Sequence, residues 1–453
     1  MYLAIDFDAF YCGVEEKYDP KLKGEPFIVA QKNCIATLSY AARELGLKKL
    51  GLVSEAKRTH PHVRHINGED LSKYRKEGRY LWKFIKEKVD GCPVERLGVE
   101  EMWIDLTPTL DTNYEILEVL GFFEFIDNLE NADYEPLDVV DLSLSPDPDS
   151  PRVYCENFSF ELPTKVFPEE IGSKLEDVAS KSGYVRAYVA GHLAYQLHEI
   201  IFQETGYSCS IGVAQNKTLS KMVGSLNKPN GVTVLYPGFE GEYLKRLPVS
   251  KIPYFGARSV EKVKAIMGVT DTPTVERVLI YFETEEAFLR QLGNTDKEKH
   301  LWDLLHGNDD SQVIDSPEFP SQISNEDSLK RGVITNLDQM AKRLQPIVLA
   351  LFDQILTDLV DIELARWRAY PTTLRLQYSL HDGISRKSSS TKLPAKFEAL
   401  AKLTTPQDQL KREELAQKLI HSDVLKLFKR PNSPSWSVAL LNVAVEGIQN
   451  LEF

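Results

Sequence analysis

The chain opens on the apolar run YLAI, reaches its first acid at Asp6, and then changes to helical spacing in DFDAFYCGVEEKY, which predicts a buried strand running into a helix. A second apolar run, PFIVA, meets the polar QKN, and beyond CIATLS the segment YAARELGL predicts a short helix closed near Gly46. LSKYRKEGRYLWKFIKEKV is amphipathic at helical spacing, and VERLGVEEMWIDLT sets two acids between apolar runs, as in a strand pair or hairpin. VRAYVAGHLAYQLHEIIFQETG predicts a long helix ended by Gly206, CSIGVA a buried strand, NKTLSKMVGSLNKPNG a helix and turn, and VTVLYP a further strand. Strands interleaved with long helices indicate an α/β or α+β domain with helices on one face of its sheet.

Two segments depart from this rhythm. Residues 111–170 lose the periodicity around SLSPDPDSP and read as an inserted, partly disordered segment with one short helix around YEILEVLGFFEF. After PGFEGEYLKRLPVSK the pattern is that of small helices to about residue 310, and the polar, proline-bearing VIDSPEFPSQISNEDS then reads as a tether. Helix NLDQMAKRLQPIVLALFDQIL, strand TTLRLQYSL, a basic stretch, two helical segments and strand SVALLNVAV predict a small sheet-and-helix domain with a polar, basic sheet surface. A length of 453 residues suits two to four domains.

The net charge of −13 argues against a polyanionic partner until it is located. Residues 111–170 hold 16 Asp and Glu against 2 Lys and Arg, leaving 51 acids and 52 bases elsewhere, and 381–436 carries 11 bases against 6 acids. The acidity is therefore local, and the C-terminal part suits either a polyanion or a solvated helix face. The five cysteines lie far apart without a C-x-x-C pair, which predicts buried small side chains and neither disulfides nor zinc. No apolar run approaches the roughly 18–20 residues of a membrane span, and the N-terminus lacks a signal-peptide pattern, so an intracellular protein without membrane contact is expected.

Candidate chemistry lies in the acids that interrupt apolar runs. Asp6 follows four apolar residues, where an unpaired charge is costly. Asp8 reads equally as a helix N-cap or as a site acid. Glu100 and Glu101 sit together in an apolar stretch expected to be strand, where neighbours face opposite sides. If Asp6, Glu100 and Glu101 converge, repulsion at about 4 Å costs on the order of 4 kcal/mol per pair at an effective dielectric near 20. A hard divalent cation with oxygen ligands removes that cost. The residues alone leave this as one reading among several.

Three strings in order carry a resemblance over nearly the whole chain. IDFDAFYCGVEE resembles the first palm motif of Y-family DNA polymerases, GVEEMWIDLT their second acidic motif, and SIGVAQNKTLSKMVGSLNKPNGVTVL the segment ending in a phosphate-binding lysine, with SYAAR between the first two. LGLKKLGLVSEAKRTHP, INGEDLSKYR, VERLG and SNEDSLK are similar to the iota subgroup. The resemblance implies an α+β multidomain right-hand polymerase. Its palm would comprise residues 1–25, 78–110 and 171–238, with fingers at 26–77, an acidic insertion at 111–170, a helical thumb with a helix-hairpin-helix at 239–310, a linker at 311–330 and an α/β little finger at 331–453. It also implies low-fidelity, template-directed extension of a primer with dNTPs, past damaged bases, on two Mg2+ ions for which Mn2+ can substitute.

Residue by residue, the implied metal ligands are Asp6, the main-chain carbonyl of Phe7, Glu100 and the adjacent catalytic Glu101. Glu100 departs from the family pattern, which usually has Asp there. Phe10 and Tyr11 match nucleotide-binding positions, Tyr11 being the steric gate against a ribose 2′-hydroxyl. Tyr40, Arg43 and Lys228 match residues on the triphosphate. Gln31, Lys32 and Cys34 align with the template-base pocket, where the iota pattern implies Hoogsteen pairing. Gly256 falls in the thumb turn that holds a DNA phosphate, with Tyr254 in place of a common glycine, and Arg386 and Lys387 in the little finger are expected to reach phosphates. Implied partners are primer-template DNA and dNTP, with sliding-clamp or ubiquitin-bearing partners through a further region downstream that the resemblance leads one to expect, and the implied location is the nucleus. Three other readings remain: a nucleotidyl cyclase with a similar palm, a weakly active or non-catalytic DNA-binding scaffold, and a template-independent deoxycytidyl transferase.

Overall fold

A computed structural model describes residues 1–89, 91–111, 140–141, 154–155, 164–167, 182–381, 383, 385–431 and 436–451, which divide into two compact units, Met1–Ser316 and Pro317–Phe453. The short helix expected around YEILEVLGFFEF and most of the acidic insertion lie outside the described residues.

The first unit begins with β1 (Tyr2–Phe7), α1 (Phe10–Tyr18), β2 (Phe27–Gln31), β3 (Cys34–Leu38), α2 (Tyr40–Glu44), α3 (Val53–Thr59), β4 (Arg64–Asn67) and α4 (Ser72–Lys88). It continues with β5 (Val94–Arg96), β6 (Glu101–Asp105), β7 (Lys165–Phe167), α5 (Ser182–Thr205), β8 (Cys209–Ala214), α6 (Lys217–Val223) and β9 (Val232–Leu235). Its main sheet has the order β5-β6-β1-β8-β9-β7, with β1 antiparallel to both neighbours and β8, β9 and β7 parallel. Edge strand β7 comes from residues read in the sequence as insertion, and its apolar Val166 packs on the main core.

Alternation sorts the sheet's faces. Leu3, Ile5 and Phe7 of β1 and Cys209, Ile211 and Val213 of β8 join residues of α1, α4 and α5 in one buried core. Each such side chain contributes about 1.5–3 kcal/mol of burial. The expectation of helices on one face is corrected by α6, whose Leu219, Met222 and Val223 share a second core with Ala214. Gly212 makes this possible: a Cβ there would stand 2.0 Å from the Ser220 carbonyl oxygen, so only glycine lets α6 lie so close to β8.

A three-stranded sheet, β3-β2-β4, has its own small core of Ile28, Ile35, Leu38, Ala42, Val53, Ala56 and Val63. C-terminal to the main sheet come α7 (Glu240–Lys245), a one-turn 3-10 segment at Val249–Lys251, α8 (Ala257–Met267), α9 (Val275–Phe282), α10 (Glu285–Leu292) and α11 (Asp296–Leu305). The sequence-expected helix-hairpin-helix therefore has a single 3-10 turn before its hairpin.

The second unit comprises β10 (Gln322–Ser328), α12 (Leu337–Leu359), β11 (Thr373–Leu380), β12 (Lys387–Lys392), α13 (Gln409–Leu419) and β13 (Val438–Glu446). Its antiparallel sheet, β10-β13-β11-β12, buries one face under α12 and α13 and leaves Thr373, Arg375 and Gln377 on the other. The segment expected to be a free tether is structured at both ends. The Ser316 amide donates to the Val94 carbonyl at 2.9 Å and the Val94 amide to Asp315 at 3.1 Å, while residues 322–328 form strand β10. No helix among the described residues is long and apolar enough to cross a membrane.

Candidate active site

With Leu3, Ile5 and Phe7 turned into the core, Asp6 faces the opposite side at the end of β1. Register pairs it with Glu101, the first residue of β6, and the Phe7 amide donates to the Glu100 carbonyl at 3.2 Å. Residues directly opposite in an antiparallel pair have Cβ atoms about 4.5–5.5 Å apart, so sheet register alone brings the Asp6 and Glu101 side chains together. Glu100 was expected inside the strand and stands instead in the bend before it, free of the alternation that would have sent it to the far face. That bend is pinned by Gly78 of α4, where a Cβ would lie 2.2 Å from the Val99 carbonyl oxygen. Between β1 and α1, Ala9 takes φ 44°, a left-handed conformation costing about 1–2 kcal/mol for a residue with a Cβ, and it forms the turn from the strand into the helix.

The acids carry nearby cations. Lys228 Nζ lies 2.7 Å from Asp6 Oδ2, and Lys221 Nζ lies 2.6 Å from Glu101 Oε2. Burial, reinforced by the Glu101 and Asp6 carboxylates, holds Glu100 above the ordinary glutamate range, with Lys49 opposing the shift. The donor set therefore suits a hard cation in kind: the carboxylates of Asp6, Glu100 and Glu101 and the main chain of Phe7 line one cavity, and burial together with the other two acids raises Glu100. As the side chains stand, no group of three His, Cys, Asp or Glu among the described residues converges on a metal position. Asp6 and Glu101 are turned onto lysines.

Two cavities meet at these acids. One, of about 450 Å³, is lined by Asp6, Phe7, Asp8, Phe10, Tyr11, Gln31, Tyr40, Arg43, Glu100, Glu101 and Lys228. The other, of about 310 Å³, has Asp6, Glu101 and Lys228 in common with the first and adds Trp103, Lys221, Met222, Gly224, Lys251 and Pro253. In the larger cavity the Arg43 guanidinium stacks 4.3 Å from the centre of the Tyr40 ring, which presents its planar donors beside a phenol. Burial, with Asp8 next in effect, pushes the Tyr40 phenol up to about 12, so it stays a hydroxyl at neutral pH.

Tyr11 lies face to face on fully buried Tyr74, with ring centres 4.2 Å apart and planes at 18°. The Tyr74 hydroxyl donates to buried Glu15, which also pairs with Lys73. Phe10 is almost wholly buried against Phe7 and Tyr207 while still lining the cavity.

Of the expected template-pocket residues, Gln31 lines the cavity and donates to the Gly68 carbonyl at 3.1 Å; Lys32 and Cys34 do not line it. Ala36 and Thr37 do, along with Lys49 and Leu50. Alternation along β3 from Cys34 to Ala36 was the available signal for the first of these. Asp8 is not the cap of α1: Ala9 holds that position without a side-chain bond, and Asp8 accepts from the Ser210 hydroxyl and the Asn230 amide, each at 2.8 Å.

Gly256 is the N-cap of α8, and Tyr254 adopts φ 67°, the conformation a glycine would take without strain. In the second unit Arg386 pairs with Glu326 at 2.9 Å. Lys387 is opposite Tyr378 in the register, on the side of the sheet that carries the core, whereas Ser388 and Ser390 share the open face with Gln377 and Arg375.

Residues 5–225 match the model of the impB/mucB/samB family. DNA polymerase iota of Homo sapiens is 28% identical over 86% of this chain and 45% of its own length. DNA polymerase iota of Drosophila melanogaster is 25% identical over 78% of this chain and 41% of its own. DNA polymerase IV of Neisseria meningitidis serogroup B is 27% identical over 78% of this chain and 84% of its own. The chain thus spans under half the length of the two iota relatives. A solved chimeric Y-family DNA polymerase superposes with TM-score 0.57 at 16% identity, covering 99% of this chain and 98% of that one, a likeness of fold.

Proposed function

We propose that this chain, whose residues 5–225 match the impB/mucB/samB family, is a Y-family DNA polymerase that extends a primer on a DNA template with dNTPs, at low fidelity and past damaged bases, in the manner of the iota subgroup. The observation that carries this is the meeting of two cavities at Asp6 and Glu101, one lined by phosphate-binding groups and a sugar-sized aromatic wall, the other an apolar cleft suited to a primer end.

In this reading Arg43, Tyr40 and Lys228 bind the triphosphate. Lys228 exchanges Asp6 for phosphate oxygens when the nucleotide enters, which frees the carboxylate. Tyr11, backed by Tyr74, excludes a 2′-hydroxyl. Gln31, with Ala36 and Thr37, forms the wall nearest the templating base, and Gly256 with the open face of the second unit's sheet contacts the DNA backbone. Asp6, the Phe7 carbonyl, Glu100 and Glu101 would hold two Mg2+ ions, which supply activation of the primer 3′-hydroxyl and charge neutralisation at the leaving pyrophosphate.

Primer extension opposite each of the four template bases is the direct test. Insertion directed by all four supports the polymerase reading. Insertion of dCMP alone whatever the template supports the deoxycytidyl transferase, and DNA binding without extension supports the scaffold.

Glu100 has one methylene more than the family's Asp, and Mg2+ tolerates displaced ligands poorly because it demands near-ideal geometry at about 2.0–2.1 Å. Replacing Mg2+ with Mn2+ is therefore expected to raise the wild-type insertion rate by roughly threefold or more. Glu100→Asp should bring the ratio of the two rates below about two. Steady-state insertion with each ion checks both statements, and equal rates in the wild type would end the strain argument.

A further inference from the structure

Asp8 is not among the expected ligands, yet it is buried, with 7% of its surface exposed, at the point where three elements meet. Its Oδ1 accepts from the Ser210 hydroxyl of β8 and its Oδ2 from the backbone amide of Asn230, both at 2.8 Å. Its charge also acts on the phenol of Tyr40, the first residue of α2, whose ring carries the Arg43 guanidinium. Asn230 follows Lys228 by two residues. An ionised carboxylate accepts from several donors at once and does so more strongly than a neutral amide.

We infer that Asp8 is a positioning residue for the nucleotide: one buried carboxylate ties the turn bearing Lys228 to β8 and to the end of β1, and so sets where that triphosphate-binding lysine stands in the cavity it shares with Tyr40 and Arg43. The inference rests on the polymerase reading above. Asp6 and Glu101 are held together by sheet register and do not depend on Asp8 for their placement. Loosening this tie should therefore weaken nucleotide binding and leave the chemical step nearly intact.

In Asp8→Asn an amide nitrogen replaces one acceptor and faces a donor, with little change in volume. Single-nucleotide insertion over a range of dNTP concentrations should show KM raised roughly tenfold or more and kcat within about threefold of wild type. DNA affinity, followed by fluorescence anisotropy, should be unchanged. Ser210→Ala removes one donor and leaves the other bonds, so its KM should rise roughly two- to fourfold. A KM within twofold of wild type in Asp8→Asn, or a fall in kcat at constant KM, overturns the inference. If Asp8→Asn does not fold, as judged by its thermal transition, Ser210→Ala decides, and an unchanged KM there is equally fatal. If the wild type extends no primer, it is the polymerase reading that fails. Calorimetric titration of each protein with dATP and Ca2+ then tests Asp8 by itself: about tenfold weaker binding in Asp8→Asn upholds its role, and equal binding removes it.

Discussion

Replacing Glu101 by alanine is expected to lower the rate of primer extension by about 10³-fold or more, equivalent to roughly 4 kcal/mol of transition-state stabilisation, with DNA affinity within about twofold of wild type. The size follows from its position: Glu101 is the carboxylate set opposite Asp6 by register, at the boundary shared by the two cavities. The fold should tolerate the change. Glu101 and its partner Lys221 have side chains 30% and 35% exposed, and a pair so accessible to water contributes about 0–1 kcal/mol to stability. Single-turnover extension, DNA binding and thermal unfolding of the same preparation separate the outcomes. Equal loss of catalysis and DNA binding in a folded variant would make Glu101 a DNA-binding residue and not part of the reacting centre.

The second large effect concerns sugar choice. Tyr11→Ala should reduce discrimination between a dNTP and the matching rNTP by about 10²-fold, the scale on which a pocket rejects an added hydroxyl by shape. Tyr11→Phe should retain the discrimination, since the ring and not its hydroxyl forms the wall. The magnitude depends on a ring that cannot retreat, and its stack on Tyr74, itself held by Glu15, provides that backing. Insertion efficiencies for paired dNTP and rNTP substrates measure the ratio. An unchanged ratio in Tyr11→Ala would assign the gate to another residue of the cavity, with neighbouring Phe10 the first to examine.

Much of the fold was legible because local pattern and tertiary environment agree. The apolar run before Asp6 is a strand because both faces of β1 are covered, and Gly206 ends α5 because its φ of 75° suits glycine. Ordered motifs led to the expectation that Asp6, Glu101, Tyr40, Arg43 and Lys228 share one site, and all five line the same cavity. What sequence could not supply is information carried by register and close approach. Glu100 leaves the strand at a bend set by Gly78, a residue 22 positions earlier in another element. Helix α6 crosses to the second face of the sheet because Gly212 has no Cβ, a fact invisible to periodicity. Strand β7 is recruited from a segment whose acidity marked it as insertion, because pairing with β9 depends on a neighbour distant in the chain.

Asp8 shows the division most clearly. Next to a helix start, local rules make it a cap, since a short acid there ordinarily serves the nearest free amides. In the folded chain its partners are Ser210 and Asn230, more than 200 residues away. Residue types and the local elements they favour can be read along the chain. Which donors surround a buried carboxylate cannot, because burial penalises an unpaired charge and the fold determines which partners are within reach.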